Sequence, residues 1–208
     1  MVSKVRSSSS KKWLKRHVRD QYVILAYKKS VRSRAYFKLD DINKRNKLLN
    51  SGMTVIDLGS SPGSWSEYAS KHIGKSGRII ACDILPMLPI KNVSFFQGDV
   101  RNSVFLNFLL SFVQVKVDLV MSDMAPNMSG SHCIDHPRSL ELSRLAFKIS
   151  MKVLCNHGKL VVKSFYGEQF NALVEEIRTC FIQVKIFKPN ASRTCSKEVY
   201  IIASGRTK

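Results

Sequence analysis

Residues 55–65, VIDLGSSPGSW, have the types and the spacing that could bind a small organic ligand. The pattern predicts a buried strand that ends in a glycine-rich turn and leads into a helix. In an open parallel sheet, ligands lie beyond the carboxyl ends of the strands, where such turns occur. Gly59 and Gly63 would let the backbone approach a bound molecule, and Pro62 would stiffen the turn. Because the spacing is not G-x-G-x-x-G, a dinucleotide pyrophosphate is a poor fit.

Two acidic residues stand at the ends of the next two predicted strands. Asp83 follows RIIAC, and Asp99 follows VSFFQG. A carboxylate at the end of the second strand can accept hydrogen bonds from ribose hydroxyls, and one at the end of the third can meet an adenine amino group. A single aspartate of this kind is more often a helix cap or a turn former. Ligand-facing positions on successive strands favour a nucleoside-type cofactor.

Other patterns associated with binding or catalysis fail on their context. The segment GKS at residues 74–76 resembles the end of a P-loop, but it lacks the earlier glycine and follows a helix rather than a strand. Metal-ligating side chains occur at His132, Cys133, Asp135 and His136. They lie in one stretch, SHCIDHP, without a second ligand pair, so we expect a plain loop and no metal.

Strands and helices alternate along the chain after residue 52, which predicts an α/β fold with a mainly parallel seven-stranded sheet and helices on both faces. The last two strands are joined only by residues 189–197, too few for a helical crossover, so we expect an antiparallel strand at that edge. The predicted strands are Thr54–Leu58, Arg78–Asp83, Val93–Gln97, Asp118–Asp123, Lys159–Ser164, Val184–Phe187 and Val199–Ala203. The predicted helices are Trp65–His72, Val104–Phe112, Ser139–Leu154 and Glu168–Thr179, with a short one between Arg34 and Lys47.

Positive charge is concentrated at the start of the chain. The sequence carries 34 Lys and Arg against 15 Asp and Glu, a net charge of +19, and 15 of the basic but only 3 of the acidic residues fall within residues 1–50. Such a segment favours a nucleic-acid partner, because each Lys or Arg that meets a phosphate releases counterions. A solvated basic tail is the alternative. We divide the chain into a partly flexible basic arm, residues 1–30, which contacts RNA, and one domain, residues 31–208.

Length and composition disfavour membrane and secreted proteins. The 208 residues suit one domain, and no apolar run approaches the roughly 20 residues of a membrane helix. The first residues lack the apolar stretch of a signal peptide. The five cysteines are odd in number and form no C-x-x-C, which favours free thiols in a reducing compartment. We therefore expect a cytoplasmic monomer without membrane association.

A series of motifs covers nearly the whole chain, from about Lys11 to Arg206: DLGSSPGSWS, CD, GDV, SDMAPNMSG, KSF and SKEVYIIA. In these motifs the sequence resembles the FtsJ-type S-adenosylmethionine-dependent RNA 2′-O-methyltransferases. The resemblance implies a Rossmann-like methyltransferase fold with S-adenosylmethionine as cofactor. One departure is Ser64, where the family commonly has a second glycine, and the SHCIDHP stretch is more variable than its neighbours. The family's cofactor contacts fall on Gly63, Trp65, Asp83, Asp99 and Asp123. We add Gly59, from the glycine-rich turn, to these predicted cofactor contacts.

The same family uses a Lys-Asp-Lys-Glu tetrad, which the resemblance places on Lys38, Asp123, Lys163 and Glu198. Methyl transfer to a ribose 2′-hydroxyl needs its oxygen, the methyl carbon and the sulfur in line, and Lys163 is the candidate proton acceptor. An ordinary lysine, with a pKa of about 10.4, is protonated at neutral pH. Burial and the charge of Lys38 would lower the pKa of Lys163, whereas both carboxylates would raise it. Whether Lys163 is a true base or a cation that stabilises the alkoxide stays open.

The resemblance implies methylation of a uridine ribose 2′-O in large-subunit rRNA, late in ribosome assembly, with that rRNA or a ribosomal particle as partner. One alternative within the same chemistry is a tRNA or an mRNA cap as substrate. A second is a non-catalytic RNA-binding assembly factor, which the intact tetrad disfavours. A third is a nucleotide-dependent oxidoreductase, which the absence of G-x-G-x-x-G disfavours.

Overall fold

The computed structural model describes residues 18–113 and 116–207, apart from the side chain at position 132. Residues 1–17 of the predicted arm lie outside this part. A seven-stranded sheet has the order β3-β2-β1-β4-β5-β7-β6, and the predicted α/β fold is confirmed. The strands are β1 (Thr54–Leu58), β2 (Arg78–Asp83), β3 (Val93–Gln97), β4 (Val117–Ser122), β5 (Leu154–Phe165), β6 (Phe181–Phe187) and β7 (Glu198–Arg206). The helices described are α1 (Gln21–Lys28), α2 (Ala35–Asn46), α3 (Ser64–Ile73), α4 (Ser103–Phe112), α5 (His132–Val153) and α6 (Phe170–Arg178).

The direction of β7 differs from that of its neighbours. Strands β1 to β5 pair in parallel, and β7 is antiparallel to both β5 and β6. The predicted antiparallel pair at this edge is confirmed: β7 lies between β5 and β6, and the edge strand β6 pairs with β7 in antiparallel orientation. The connection from β6 is too short for a helical crossover, so the chain reverses into the space beside β5. There β7 is hydrogen-bonded on both sides, and residues 198–203 are buried.

Alternate residues of the central strands face opposite helix layers. Ile56 of β1 packs in a cluster with residues of α5 and α6, whereas its neighbour Val55 packs with α2 and α3. On the same α2–α3 side lie Val161 of β5 and Tyr200 of β7. A strand covered on both faces is mostly apolar, as β1 is at Val55, Ile56 and Leu58, although β1 also contains the buried Asp57. The carboxyl ends of the parallel strands therefore meet at one edge, between two helix layers.

Helix α1 lies within the predicted basic arm and packs against the domain. Asp20 caps it, because its carboxylate accepts a hydrogen bond from Tyr22 N at 3.0 Å. The ring of Tyr22 lies 5.7 Å from the ring of Phe37 on α2, measured between centroids. A second contact of Asp20 is an ion pair with Arg34 at 3.3 Å. Across the described part of the chain, every helix is too short or too polar to span a lipid bilayer.

Helix α5 begins earlier than the sequence pattern predicts. The prediction of a plain loop over SHCIDHP is wrong, because the helix begins at His132. In its first turn the Asp135 carboxylate accepts hydrogen bonds from the N–H groups of Ser129 and Gly130, at 2.8 and 3.0 Å, which stabilises the helix start. Pro137 removes one amide donor, but the carbonyl that loses its partner lies near the exposed start of the helix, where water can reach it.

Candidate active site

The four charged residues of the expected tetrad come from four separate parts of the fold. Lys38 lies in the first turn of α2, and Asp123 directly follows β4. Lys163 lies near the end of β5, and Glu198 is the first residue of β7. Because β5 and β7 are antiparallel neighbours, the end of one lies beside the start of the other. The structure therefore brings all four side chains together at the carboxyl edge of the sheet.

Each ammonium group of the tetrad meets both carboxylates. Lys163 Nζ lies 3.3 Å from Asp123 Oδ1 and 3.2 Å from Glu198 Oε2. Lys38 Nζ lies 2.8 Å from Glu198 Oε1 and 3.9 Å from Asp123 Oδ1. Lys38, Lys163 and Glu198 are all buried. Two positive and two negative charges balance here, as buried charges must, because an unpaired one is strongly unfavourable.

The pKa values of the two lysines move in opposite directions. Burial would lower the pKa of Lys163, but the carboxylates of Asp123 and Glu198 outweigh burial and raise it. For Lys38, burial prevails, and the charge of Lys163 adds to it, so the pKa is lowered despite the pull of Asp123. Burial alone would raise the pKa of Glu198, yet the ammonium groups of Lys163 and Lys38 hold it well below its usual range. In the resting site Lys163 is therefore protonated and Glu198 ionised.

Two hydroxyl groups complete the cluster, and the sequence reasoning did not single them out. The buried Tyr200 donates a hydrogen bond to Asp123 Oδ1 at 2.7 Å and lies 3.3 Å from Glu198 Oε1. Ser192 Oγ donates to Glu198 Oε1 at 2.7 Å. The spacing of two between Glu198 and Tyr200, which puts both on one face of a strand, could have indicated Tyr200. Ser192 lies in a connection between strands, where no periodicity points to it.

A cavity of about 530 Å³ opens beside the tetrad at the carboxyl ends of β1, β2 and β4. Among the residues that line it are four of the predicted cofactor contacts: Gly59, Asp83, Asp99 and Asp123. A volume of this order is usual for sites that bind small organic ligands. Asp123 belongs to both the cavity and the tetrad, so a ligand in the cavity would reach the charged cluster through this residue.

The carboxylates of Asp83 and Asp99 also stabilise the walls of the cavity. Asp83 Oδ2 accepts a hydrogen bond from Ser61 N at 2.9 Å, and its Oδ1 accepts one from Leu85 N at 2.8 Å. Asp99 pairs with Arg101 at 2.7 Å, and this contact holds the pKa of Asp99 below its usual value. Both residues thus act as turn formers, the common role of a strand-end aspartate, while they line the cavity.

Two further predicted cofactor contacts, Gly63 and Trp65, are not among the residues that line this cavity. Trp65 is 2% exposed, and its indole N–H donates to Ala35 O at 2.9 Å. Gly63 precedes α3 with a φ of +103°, and a Cβ placed there would come within 3.1 Å of Arg32 Nη1 and 2.9 Å of Met87 Sδ. The structure therefore uses these residues to pack the turn against its neighbours.

The segment before α2 holds the glycine-rich turn in place. Arg32 Nη1 donates to Pro62 O at 2.9 Å and to Leu88 O at 2.8 Å, which ties the turn to the loop after β2. The next residue, Ser33, places its Oγ 2.7 Å from Ser64 Oγ. Ser64, the departure from the family's second glycine, is thus buried against Ser33 rather than directed at a ligand.

Two of the metal-ligating residue types at positions 133–136, Asp135 and His136, have other partners. Asp135 accepts hydrogen bonds from loop N–H groups, as described above, and His136 Nε2 lies 3.2 Å from Phe165 O. Within residues 18–113 and 116–207, no three side chains of the metal-ligating types come together.

Comparison with known proteins identifies the family. Residues 31–206 match the model of the FtsJ-like methyltransferases. The chain belongs to this family. The ribosomal RNA large subunit methyltransferase E of Buchnera aphidicola subsp. Baizongia pistaciae is 56% identical over 208 residues and covers 99% of both chains. The protein of the same name from Buchnera aphidicola subsp. Acyrthosiphon pisum is 53% identical over 98% of this chain and all of its own.

Solved structures agree with this fold. A ribosomal RNA methyltransferase of Plasmodium falciparum is similar with a TM-score of 0.73 at 27% identity, over 84% of this chain and 98% of its own. Human methyltransferase-like protein 13, in complex with SAH, shares the fold with a TM-score of 0.60 at 11% identity, over 82% of each chain.

As an FtsJ-like methyltransferase, the protein uses S-adenosylmethionine as its methyl donor. The site fits this molecule by its own features. Asp83 and Asp99 line the cavity with carboxylates, groups that can accept hydrogen bonds, and the cavity volume is usual for a small organic ligand. In the turn, Ser60 Oγ is buried without a hydrogen-bond partner among the described residues. The close approach of Gly59 to Met124, a lining residue, leaves room for hydrogen but not for a side chain.

We expect Gly59→Ala to weaken S-adenosylmethionine binding at least about tenfold, or about 1.4 kcal/mol. A Cβ at Gly59 would lie 2.6 Å from Met124 Cγ and 3.0 Å from Met124 Cα, so the cavity wall must shift. Gly52→Ala is the matched control, because Gly52 has a similar φ of +82° against +75°, but its nearest new contact is 3.7 Å away. Titration calorimetry with S-adenosylmethionine measures both variants. Equal affinities of the two variants for S-adenosylmethionine would overturn the steric explanation.

Proposed function

We propose that this FtsJ-like methyltransferase methylates the 2′-hydroxyl of a uridine in large-subunit ribosomal RNA, late in ribosome assembly. The two Buchnera relatives, named as large-subunit rRNA methyltransferases, support the substrate class. The reaction rests on the position of Lys163, whose ammonium lies between Asp123 and Glu198 while Asp123 also lines the cofactor cavity. A hydroxyl group that approached Lys163 would therefore stand at the edge of that cavity.

Each residue of the site has a separate task in this mechanism. S-adenosylmethionine, when bound, supplies a methyl group activated by the sulfonium charge. Asp83 and Asp99 would hold its nucleoside part, and Asp123 lies where the cavity meets the tetrad. Lys163 Nζ accepts the proton of the ribose hydroxyl as the oxygen is methylated. The two carboxylates hold Lys163 in place, and Lys38 balances their charge.

The raised pKa of Lys163 determines how such a base depends on pH. Below its pKa, the deprotonated fraction of a base increases tenfold with each pH unit. Because Asp123 and Glu198 raise the pKa of Lys163 above its ordinary value, the active form is a small minority at neutral pH. The rate of the chemical step therefore rises with pH through the neutral range. A site in which Lys163 acts only as a cation has no such rise.

We expect Lys163→Ala to lower single-turnover methyl transfer by about 10²–10⁴-fold, the usual contribution of a positioned base. RNA and cofactor binding should survive, as measured by filter binding and calorimetry. The wild-type rate should increase nearly tenfold per pH unit between pH 6.5 and 8.5, and that slope should disappear in the variant. Lys163→Arg is the control, because it keeps the charge but cannot give up a proton. Near-normal activity of Lys163→Arg would establish the cation role instead.

We further propose that residues 1–17 increase affinity for RNA. This segment contains six Lys and Arg and no Asp or Glu. The helix that follows it in the described chain, α1, packs against α2, the helix of Lys38. Deletion of residues 2–17 should weaken RNA binding and reduce the salt slope of log K by about 0.7–0.9 for each phosphate that the protein no longer neutralises. Cofactor affinity should stay the same. Replacement of the six basic residues by serine separates charge from chain length, and an unchanged slope would rule out phosphate contacts.

Transfer of a labelled methyl group from S-adenosylmethionine tests the substrate. Purified ribosomal particles, naked rRNA and tRNA are incubated in parallel, and nucleosides are then separated. We expect 2′-O-methyluridine in large-subunit rRNA. Label in tRNA would agree with the proposed reaction but overturn the proposal that large-subunit rRNA is the substrate. No label on any RNA, despite cofactor binding, would favour a non-catalytic assembly factor. For the same enzyme we propose a cytoplasmic monomer whose partner is large-subunit rRNA or a ribosomal particle.

A further inference from the structure

Among the described residues of the connection between β6 and β7, Ser192 is the one whose hydroxyl group contacts a charged group of the tetrad. Its side chain is 6% exposed, and Oγ lies 2.7 Å from Glu198 Oε1. A serine hydroxyl has one proton to donate. Because the acceptor of this hydrogen bond is the ionised carboxylate of Glu198, the contact is charge-assisted and strong.

The hydrogen bond from Ser192 decides which way the Glu198 carboxylate faces. Oε1 accepts a hydrogen bond from Ser192 Oγ at 2.7 Å and pairs with Lys38 Nζ at 2.8 Å. The hydroxyl of Tyr200, whose proton goes to Asp123, lies 3.3 Å from the same oxygen. Oε2 lies 2.9 Å from Lys38 Nζ and 3.2 Å from Lys163 Nζ. Ser192 thus donates to Oε1, and Oε2 is the oxygen that faces Lys163.

The connection between β6 and β7, which carries Ser192, is anchored to α1 and α2. Asn190 N donates to Asp41 Oδ2 of α2 at 2.7 Å, and Arg193 Nε lies 3.3 Å from Asp20 Oδ2 at the start of α1. Within the connection, Ser192 N donates to Pro189 O at 2.9 Å. Since α2 also carries Lys38, the anchor holds Ser192 in register with one of the lysines that Glu198 must meet.

The hydrogen bond from Ser192 to Glu198 also changes the electrostatic interaction between Glu198 and Lys163. Four groups face Glu198: Lys38 from α2, Lys163 from β5, Tyr200 from the same strand, and Ser192. Asp123, which follows β4, contacts the same two lysines. The proton from Ser192 stabilises the negative charge at Oε1. Without it the carboxylate is a stronger acceptor and pairs more tightly with the ammonium groups.

We propose that Ser192 is a positioning residue for methyl transfer: it orients Glu198 and limits how strongly that carboxylate holds the proton on Lys163. The inference rests on the proposed function, in which Lys163 must lose this proton for the reaction to proceed. Ser192 acts through Glu198, because its hydroxyl donates to that carboxylate and Ser192 is not among the residues that line the cofactor cavity.

Ser192→Ala tests the proposal in the full-length protein. We expect single-turnover methyl transfer at pH 7 to fall about tenfold and the pH–rate profile to move to higher pH by roughly one unit. Affinity for S-adenosylmethionine should be unchanged. Ser196→Ala is the matched control from the same connection, because Ser196 Oγ accepts from Glu198 N at 3.1 Å and does not touch the carboxylate. An equal shift in Ser196→Ala would overturn the proposal, since general loosening of the connection would then explain both.

Titration of Lys163 by NMR separates this inference from the proposed function. Lysine labelled with ¹³C at Cε reports the ammonium proton without any reaction, and the Lys163 signal is identified by its absence from Lys163→Arg. A higher pKa of Lys163 in Ser192→Ala than in the wild type supports the inference. The same higher pKa together with rates that show no pH dependence would overturn the base role of the proposed function instead. An unchanged pKa of Lys163 overturns the inference, whatever the rates show.

Discussion

Two carboxylates and two ammonium groups share the centre of this site, and each is stable there only in the presence of the others. Lys38, Lys163 and Glu198 are each less than a tenth exposed. Removal of one partner from such a pair costs about 3–5 kcal/mol, because the other charge stays buried and unpaired. The cluster therefore constrains the positions of α2, β4, β5 and β7 relative to one another. A fold that moved any one of them away would leave an uncompensated charge in the interior.

The direction of β7 makes this cluster geometrically feasible. The carboxyl ends of parallel strands lie at one edge of a sheet, and their first residues lie at the opposite edge. Glu198 is the first residue of β7, whereas Lys163 lies near the end of β5. The two side chains meet because β7 runs antiparallel to β5. The reversal of this strand thus has a chemical consequence as well as a topological one.

Asp123 connects the two halves of the site. It lines the cofactor cavity, contacts both lysines and accepts a hydrogen bond from the buried Tyr200. Ser192 holds the second carboxylate, Glu198, in a similar way. Hydroxyl groups that do not change charge at neutral pH therefore orient the carboxylates, and the carboxylates orient the lysines. Such an order preorganises the site before any substrate arrives, which reduces the rearrangement needed during the reaction.

The sequence by itself determined the α/β architecture, the bounds of β1 to β3 and the glycine-rich turn, because apolar runs and turn residues act locally. Its motifs also indicated the family and the four members of the tetrad, which the structure brings together. Tertiary structure alone decided the place of β7 inside the sheet, the early start of α5 and the packing of α1 through Asp20 and Arg34. It also decided the part played by Ser192 and the direction in which the pKa of Lys163 moves. These features depend on distances between residues far apart in the chain, and no local pattern encodes such distances.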